Sequence, residues 1–365
     1  MNRPNQLNSL RVERLTRGTA VVAGLAAIGL LGYDPGGFAI AYRFVVFTML
    51  APAVGCLIFV LIDRMTVGQW AVDLRPFLLS GVSLLPWIWL LALPIPLLPS
   101  FLGRPVPRLN SAAQGYDSLP MVLARSGIYA GIFFWLSWAV AREDGRDGTP
   151  VRHQRAWVGP VGLLVLVFTL TLLADDWIEG LEPGWHSTGF ALVWMTGQAV
   201  AGLALALVGG LADGAQPVAT GSAGRALGLD WGNLLLATMF AWCYVAFAQF
   251  LIIWAGNLPA EISWFKHRSA GPWFLIPPLL AIFGFLVPFL LLLSRRYKTK
   301  AGGLAFVALM LLLGQVTYTA WLILPAAGPL SPGGWLLAGA LLLAGGAAFI
   351  NRYAAAARRL GRSSP

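Results

Sequence analysis

The sequence predicts an all-α polytopic membrane protein of about ten transmembrane helices. Three observations carry that expectation: the composition, the long charge-free apolar runs, and the placement of the basic residues. Of 365 residues, 58% are hydrophobic and only 11% charged. A soluble globular chain carries about 25% charged residues, so a water-facing surface could not be built from this sequence. A spanning helix needs about 20 apolar residues, because the hydrocarbon core is about 30 Å thick. Trp157 to Ala174 and Pro272 to Ser294 are two such runs, and no charge falls between Lys300 and Arg352. That last stretch is long enough for two spans, with Leu324-Pro325-Ala326-Ala327-Gly328-Pro329 as the loop between them.

Taken in order, the spans are expected near 17–33, 38–62, 76–99, 119–141, 157–175, 187–211, 231–256, 272–294, 301–324 and 334–354. The first is short, with 16 residues between Arg17 and Asp34, and a cleaved signal peptide is its alternative. No small-x-small cleavage site follows it, only Tyr33-Asp34-Pro35-Gly36-Gly37, so the helix is expected to be retained. The organisation is then a cytoplasmic N-terminal segment over 1–16, a membrane domain over 17–354 and a basic cytoplasmic tail over 355–365.

The net charge is +10, which in a soluble protein would suggest nucleic acid. Its distribution points instead to topology. Nineteen of the 25 Lys and Arg residues fall in loops or tails expected on one side, among them Arg142, Arg146, Arg295, Arg296 and Arg358. Four, Arg104, Arg108, Lys266 and Arg268, fall on the other. The positive-inside rule then puts both termini of a multi-pass protein in the cytoplasm, with the lipid bilayer rather than nucleic acid as its surroundings.

Cofactor chemistry finds little to attach to. The three histidines, His153, His186 and His267, lie in expected loops or helix ends, so a bis-histidine haem inside the bundle has no ligands. Cys56 and Cys243 stand singly in apolar stretches and read as small hydrophobes. No Walker motif, G-x-G-x-x-G before a helix, or H-E-x-x-H is present. No metal ligand set, catalytic residue or cofactor bound by this chain is therefore expected.

Polar residues gather in two segments, both expected on the outer side. Residues 175–188 hold Asp175, Asp176, Glu179 and Glu182 without a local Lys or Arg, together with Trp177, Trp185 and His186. Residues 249–268 hold Gln249, Asn257, Glu261, Lys266, His267 and Arg268. A solvated loop and an interfacial tryptophan belt are the plain readings. Deeper in the spans lie Gln198, Gln315, Tyr244 and Tyr318, polar groups that bond between helices or line a path. Arg43 and Arg125 sit near span ends, where they could snorkel to the interface.

Asp176-Trp177, Leu181-Glu182-Pro183 and Trp185-His186-Ser187-Thr188 resemble the D-W-x-x-x-L-E-P-x-W-x-S-T stretch of ActF-type subunits of bacterial alternative complex III. These are NrfD-like (polysulfide-reductase-like) membrane subunits. Gly232-Asn233-Leu234-Leu235, Gln249-Phe250-Leu251-Ile252-Ile253-Trp254 and Gly256-Asn257-Leu258-Pro259 through Glu261 are similar to a second run of that family, and Trp321-Leu322-Ile323-Leu324-Pro325 follows in its order. The likeness extends from about residue 40 to the end.

The resemblance implies ten helices containing two four-helix bundles. It also implies a cofactor-free subunit of a quinol-oxidising electron-transfer complex. Its partners would be a NrfD-like sister subunit, an iron–sulfur subunit and haem c subunits, which carry the clusters and haems. The role implied is a scaffold with possible quinol or quinone contact, or an outward proton half-channel. Candidates for a proton path are Asp175, Asp176, Glu179, Glu182, Glu261, Tyr244, Gln249 and Tyr318. Candidates for quinone or partner contact are Trp177, Trp185, His186, Asn257, His267 and Arg268. The sequence departs from the family pattern at Ala260, where a second Glu is usual, and at Gln315 and Tyr318, which replace charged residues. The alternatives are a structural or assembly protein of the same fold, or a secondary transporter.

Overall fold

The computed structural model describes residues 35–66, 70–97, 116, 118–144, 157–182, 184–215, 227–327 and 332–363. Among them, nine helices are long and apolar enough to cross a membrane, and there is no β-strand. The chain is an all-α polytopic membrane protein. The expected first helix at 17–33 and the segment 1–16 lie outside the described residues.

The spans are α1 (Gly36–Asp63), α2 (Arg75–Leu97), α3 (Leu119–Arg142), α4 (Val158–Leu181), α5 (Phe190–Ala212) and α6 (Leu227–Gly256). A short helix, α7 (Pro259–Arg268), follows. Then come α8 (Gly271–Leu293) and α9 (Ala301–Ala326), and finally α10 (Pro332–Ser363). The segment expected as a separate tail from residue 355 instead continues α10 as far as Ser363. Its run of Ala354 to Ala357 has high helix propensity and no stop signal.

Two spans are interrupted. In α2 the helix breaks at Ser83–Leu84 and again at Leu93–Pro94, because Pro86, Pro94 and Pro96 each lack a backbone donor. In α8 a π-helical stretch runs over Leu280–Leu286, just before Pro288, which has no N–H to donate to the carbonyl four residues back and whose ring crowds that carbonyl.

Helices α1–α4 pack as one group of four, and α5, α6, α8 and α9 as a second. The groups meet where α1 crosses α5, and α10 flanks α1. In their most apolar windows α1 is 83% and α5 78% buried, whereas α6 and α8 are each 17% buried. The first pair is therefore the centre of the molecule, and the second pair turns its side chains toward lipid or a partner. Glycine makes the central crossing possible. A Cβ on Gly55 would overlap the Gln198 carbonyl, and one on Gly202 would overlap the Gly55 backbone. Small residues let membrane helices approach backbone to backbone, which is how they gain van der Waals contact without a hydrophobic driving force.

The spans alternate in direction, so residues near 36, 97, 119, 181, 190, 256, 271 and 326 share one end. Bonds across each end agree: Tyr42 Oη donates to the Leu91 carbonyl and Arg125 pairs with Asp176 at this end. At the other, Arg64 donates to the Val140 carbonyl and Lys298 to Asn233 Oδ1 at 2.6 Å. The second end carries Arg295, Arg296, Lys298 and Lys300 and is called the basic end here.

Candidate functional site at the capped end

Helix α4 ends in a 3-10 turn over Glu179–Leu181, and the chain then turns back through Gly184, whose φ of 83° requires glycine. That turn sets Trp185 inward, fully buried. On the other side of the cap, α6 ends at Gly256 and Asn257 adopts φ 48°, a conformation Asn tolerates better than most residues. Pro259 then starts α7 at a new angle. Asn257, expected as a quinone or partner contact, is exposed and supplies this backbone break.

The two segments singled out by sequence interlock. The Trp185 ring stacks on Trp264 with centroids 4.2 Å apart, and its Nε1 donates to the Glu261 carbonyl at 3.0 Å. Glu182 accepts from Arg268 Nη1 at 3.4 Å, and lies 2.5 Å from His267 Nδ1. Arg268 is 0% exposed. Its Nε and Nη2 donate to the Leu322 carbonyl at 3.2 and 2.9 Å, and its guanidinium lies 3.1 Å from the Trp264 ring centroid. Leu322 can accept because α9 gives way to a 3-10 turn over Leu324–Ala327, where Pro325 cannot donate. Trp321 Nε1 closes the ring by donating to the Arg268 carbonyl at 3.1 Å. Burial, ahead of the neighbouring Glu182 charge that opposes it, lowers the Arg268 guanidinium to about 10, so it is cationic at neutral pH.

Glu179 is buried and accepts the Ser187 amide at 2.9 Å. Ser187 Oγ accepts from Gln249 Nε2 at 2.8 Å. Gln249 thus ties α6 to the α4–α5 turn. Asp176 is held between α3 and α4: Arg125 binds both its oxygens at 2.8 and 2.9 Å, and Tyr129 Oη donates at 2.6 Å.

Several expectations are corrected by this geometry. The acidic 175–188 segment is compensated after all, by Arg125 of α3 and Arg268 of α7. Glu179, Glu182 and Arg268 are inside the cap and not on a solvated docking face. Arg125 is bound within the protein and does not snorkel. Tyr244 is 74% exposed on the outer face of α6, which takes it off any path through the interior. Trp177 is buried against Phe47 and Trp89, at ring distances of 6.0 and 5.3 Å. His186 and His267 are the exposed members. Tyr129, Trp264, Ser187 and the Leu322 carbonyl were not among the candidate site residues. Nothing marks a carbonyl or a lone Tyr until the packing is known.

Asp175, Glu179 and His186 offer ligand atoms that all lie within 4.8 Å of one another, with His186 Nδ1 3.7 Å from Asp175 Oδ1. These are the residues that could hold a divalent cation, a grouping that the sequence expectation of no metal ligands did not include.

Beneath the cap, polar atoms continue inward. Tyr318 is buried, with its ring 5.4 Å from that of Trp242. A Cβ on Gly197 would stand 2.8 Å from Gln315 Oε1 and 3.2 Å from Trp242 Nε1, so these two groups share one spot. Among the described residues, both amide atoms of Gln198, next in sequence, and the indole nitrogen of Trp242 are buried without a protein partner. At the basic end the Gly232-Asn233 pair fastens α6 to the short helix Arg295–Thr299 before α9, because Lys298 lies over Gly232 while bonding Asn233.

The Asp176 arrangement gives an expected result. Asp176→Asn leaves the half-buried Arg125 charge without its counter-ion and is expected to lower the stability of the chain. The double change Arg125→Met with Asp176→Leu should recover most of that loss in thermal unfolding of the purified chain. A fully stable Asp176→Asn protein would show that the pair is not needed.

No protein-family model matches the chain, and no curated protein matches it.

Proposed function

We propose that this chain is a cofactor-free scaffold subunit of a quinol-oxidising respiratory complex of the alternative-complex-III type. In this reading it lies in a bacterial inner membrane with both termini cytoplasmic and the cap on the periplasmic side. The supporting observation is that the motifs carrying the resemblance form one interlocked cap around Arg268. Such a cap fixes the relative position of α4, α6, α7 and α9 at one end of the bundle. It gives periplasmic iron–sulfur and haem c subunits a rigid platform on which His186, Lys266 and His267 are the exposed polar contacts. The apolar outer faces of α6 and α8 suit a membrane partner such as a NrfD-like sister subunit.

The seam of Trp242, Gln315 and Tyr318, together with the unpartnered amide of Gln198 on α5, favours a second reading, an outward half-channel. Buried polar atoms without protein partners are the usual stations of internal water. The scaffold reading is preferred because Asp176, Glu179 and Glu182 are each held by partners within the chain, and no acid lies along the seam.

Quinol oxidation in membranes whose only quinol-oxidising route runs through the complex separates the two readings. Gln198→Leu with Tyr318→Phe is expected to leave turnover at the wild-type level. A tenfold loss, with the subunit present at its normal amount, would assign the seam a part in proton release.

A further inference from the structure

Among the described residues, three buried donors on α1, α2 and α4 have no acceptor. Arg43, on α1, is 8% exposed; its Nε is buried without a hydrogen-bond partner, and among the described residues no charged group acts on it. The indole nitrogens of Trp89 and Trp177 are buried and equally without acceptors. One helical turn and two ring contacts connect the three. Arg43 lies one turn from Phe47 on the same face of α1. Phe47 meets Trp177 at 6.0 Å, and Trp177 meets Trp89 at 5.3 Å. The carboxylate next in sequence, Asp176, is fully engaged by Arg125 and Tyr129.

We infer that Arg43, Trp89 and Trp177 form a binding site for a phosphate-type oxyanion. An arginine cannot shed its proton, and the indole nitrogen is a donor only, so the group that completes the site must be rich in acceptors. An uncompensated buried cation is strongly destabilising, and inside a membrane span such residues pair with another charge or mark a functional site. A neutral carbonyl compound would accept the hydrogen bonds but leave the charge, which is why an anion fits and a quinone does not. Depth agrees with this. Arg43 lies about 10 Å along α1 from Gly36 at 1.5 Å per residue, and side chains on a helix lean toward its N-terminus. The guanidinium therefore leans toward the capped end, the level at which phosphates are found in a bilayer. The phosphate can come from a phospholipid headgroup or from solution, and the site chemistry is the same for both. The inference is independent of the respiratory reading.

Thermal unfolding of the full chain in a non-ionic detergent, free of lipid and phosphate, tests it. Phosphatidylglycerol, diacylglycerol with the same acyl chains, and inorganic phosphate are added separately. Wild type is expected to show a saturable rise in Tm with phosphatidylglycerol, with inorganic phosphate, or with both, and none with diacylglycerol; which phosphate acts identifies the source. Arg43→Met, which keeps volume and removes charge, should be at least as stable as wild type without additives and should not respond to either phosphate. Unresponsive wild type, a response to diacylglycerol equal to that of the phospholipid, or an Arg43→Met chain that responds like wild type would each overturn the assignment.

Discussion

Glu182→Leu is expected to destabilise the chain by about 3–5 kcal/mol, because it leaves the fully buried Arg268 without its only carboxylate partner among the described residues. The loss should appear as a lowered Tm and as aggregation after extraction. Arg268→Met at the same site should be milder than Glu182→Leu, since it removes the charge and keeps the bulk. It also gives up two bonds to Leu322 and the contact with the Trp264 ring, so it should not be neutral. The double variant should be more stable than Glu182→Leu alone. Additive losses would mean that the two residues do not act as a pair.

The second large effect is expected at the α1–α5 crossing. Gly55→Val and Gly202→Val each place a side chain where the opposing atoms are backbone: the Gln198 carbonyl for Gly55, and Gly55 itself for Gly202. Overpacking a core costs about 1–3 kcal/mol when side chains can yield. Here the helices themselves must separate, and both variants are expected to exceed that range and to fail to purify as a monodisperse species. Gly127→Ala and Gly131→Ala on α3 are the controls, because nothing lies within 4 Å of the added methyl; both should be neutral or slightly stabilising. A well-behaved Gly202→Val protein would contradict the close crossing.

The spans were legible because charge is so scarce. Each span expected from 38–62 onward corresponds to a helix among the described residues, most of them within a few residues of the expected bounds. The interruptions of α2 and α8 fall beside prolines. Helix facing was less accessible. Tyr244 on α6 looked interior but faces outward, because a span apolar on all sides carries no amphipathic phase to read. Pairing was the least accessible property. Asp176 looked uncompensated because its partner, Arg125, is 51 positions away, and Glu182 meets Arg268 across 86. Such contacts depend on which helix ends meet, and that follows from backbone packing at positions such as Gly55 and Gly202. The two polar segments were visible as candidates, but their mutual contact through Trp185 and Trp264 was not.

The most direct test of the scaffold account is gentle purification of the tagged chain from its native membranes, followed by assays for covalently bound haem and non-haem iron. The account predicts that a c-type haem protein and an iron–sulfur protein co-purify in fixed proportion with the chain. It further predicts that both are stripped away by conditions that leave the chain itself folded and without haem. Recovery of the chain alone, in mild detergent and from cells respiring on quinol, would contradict it.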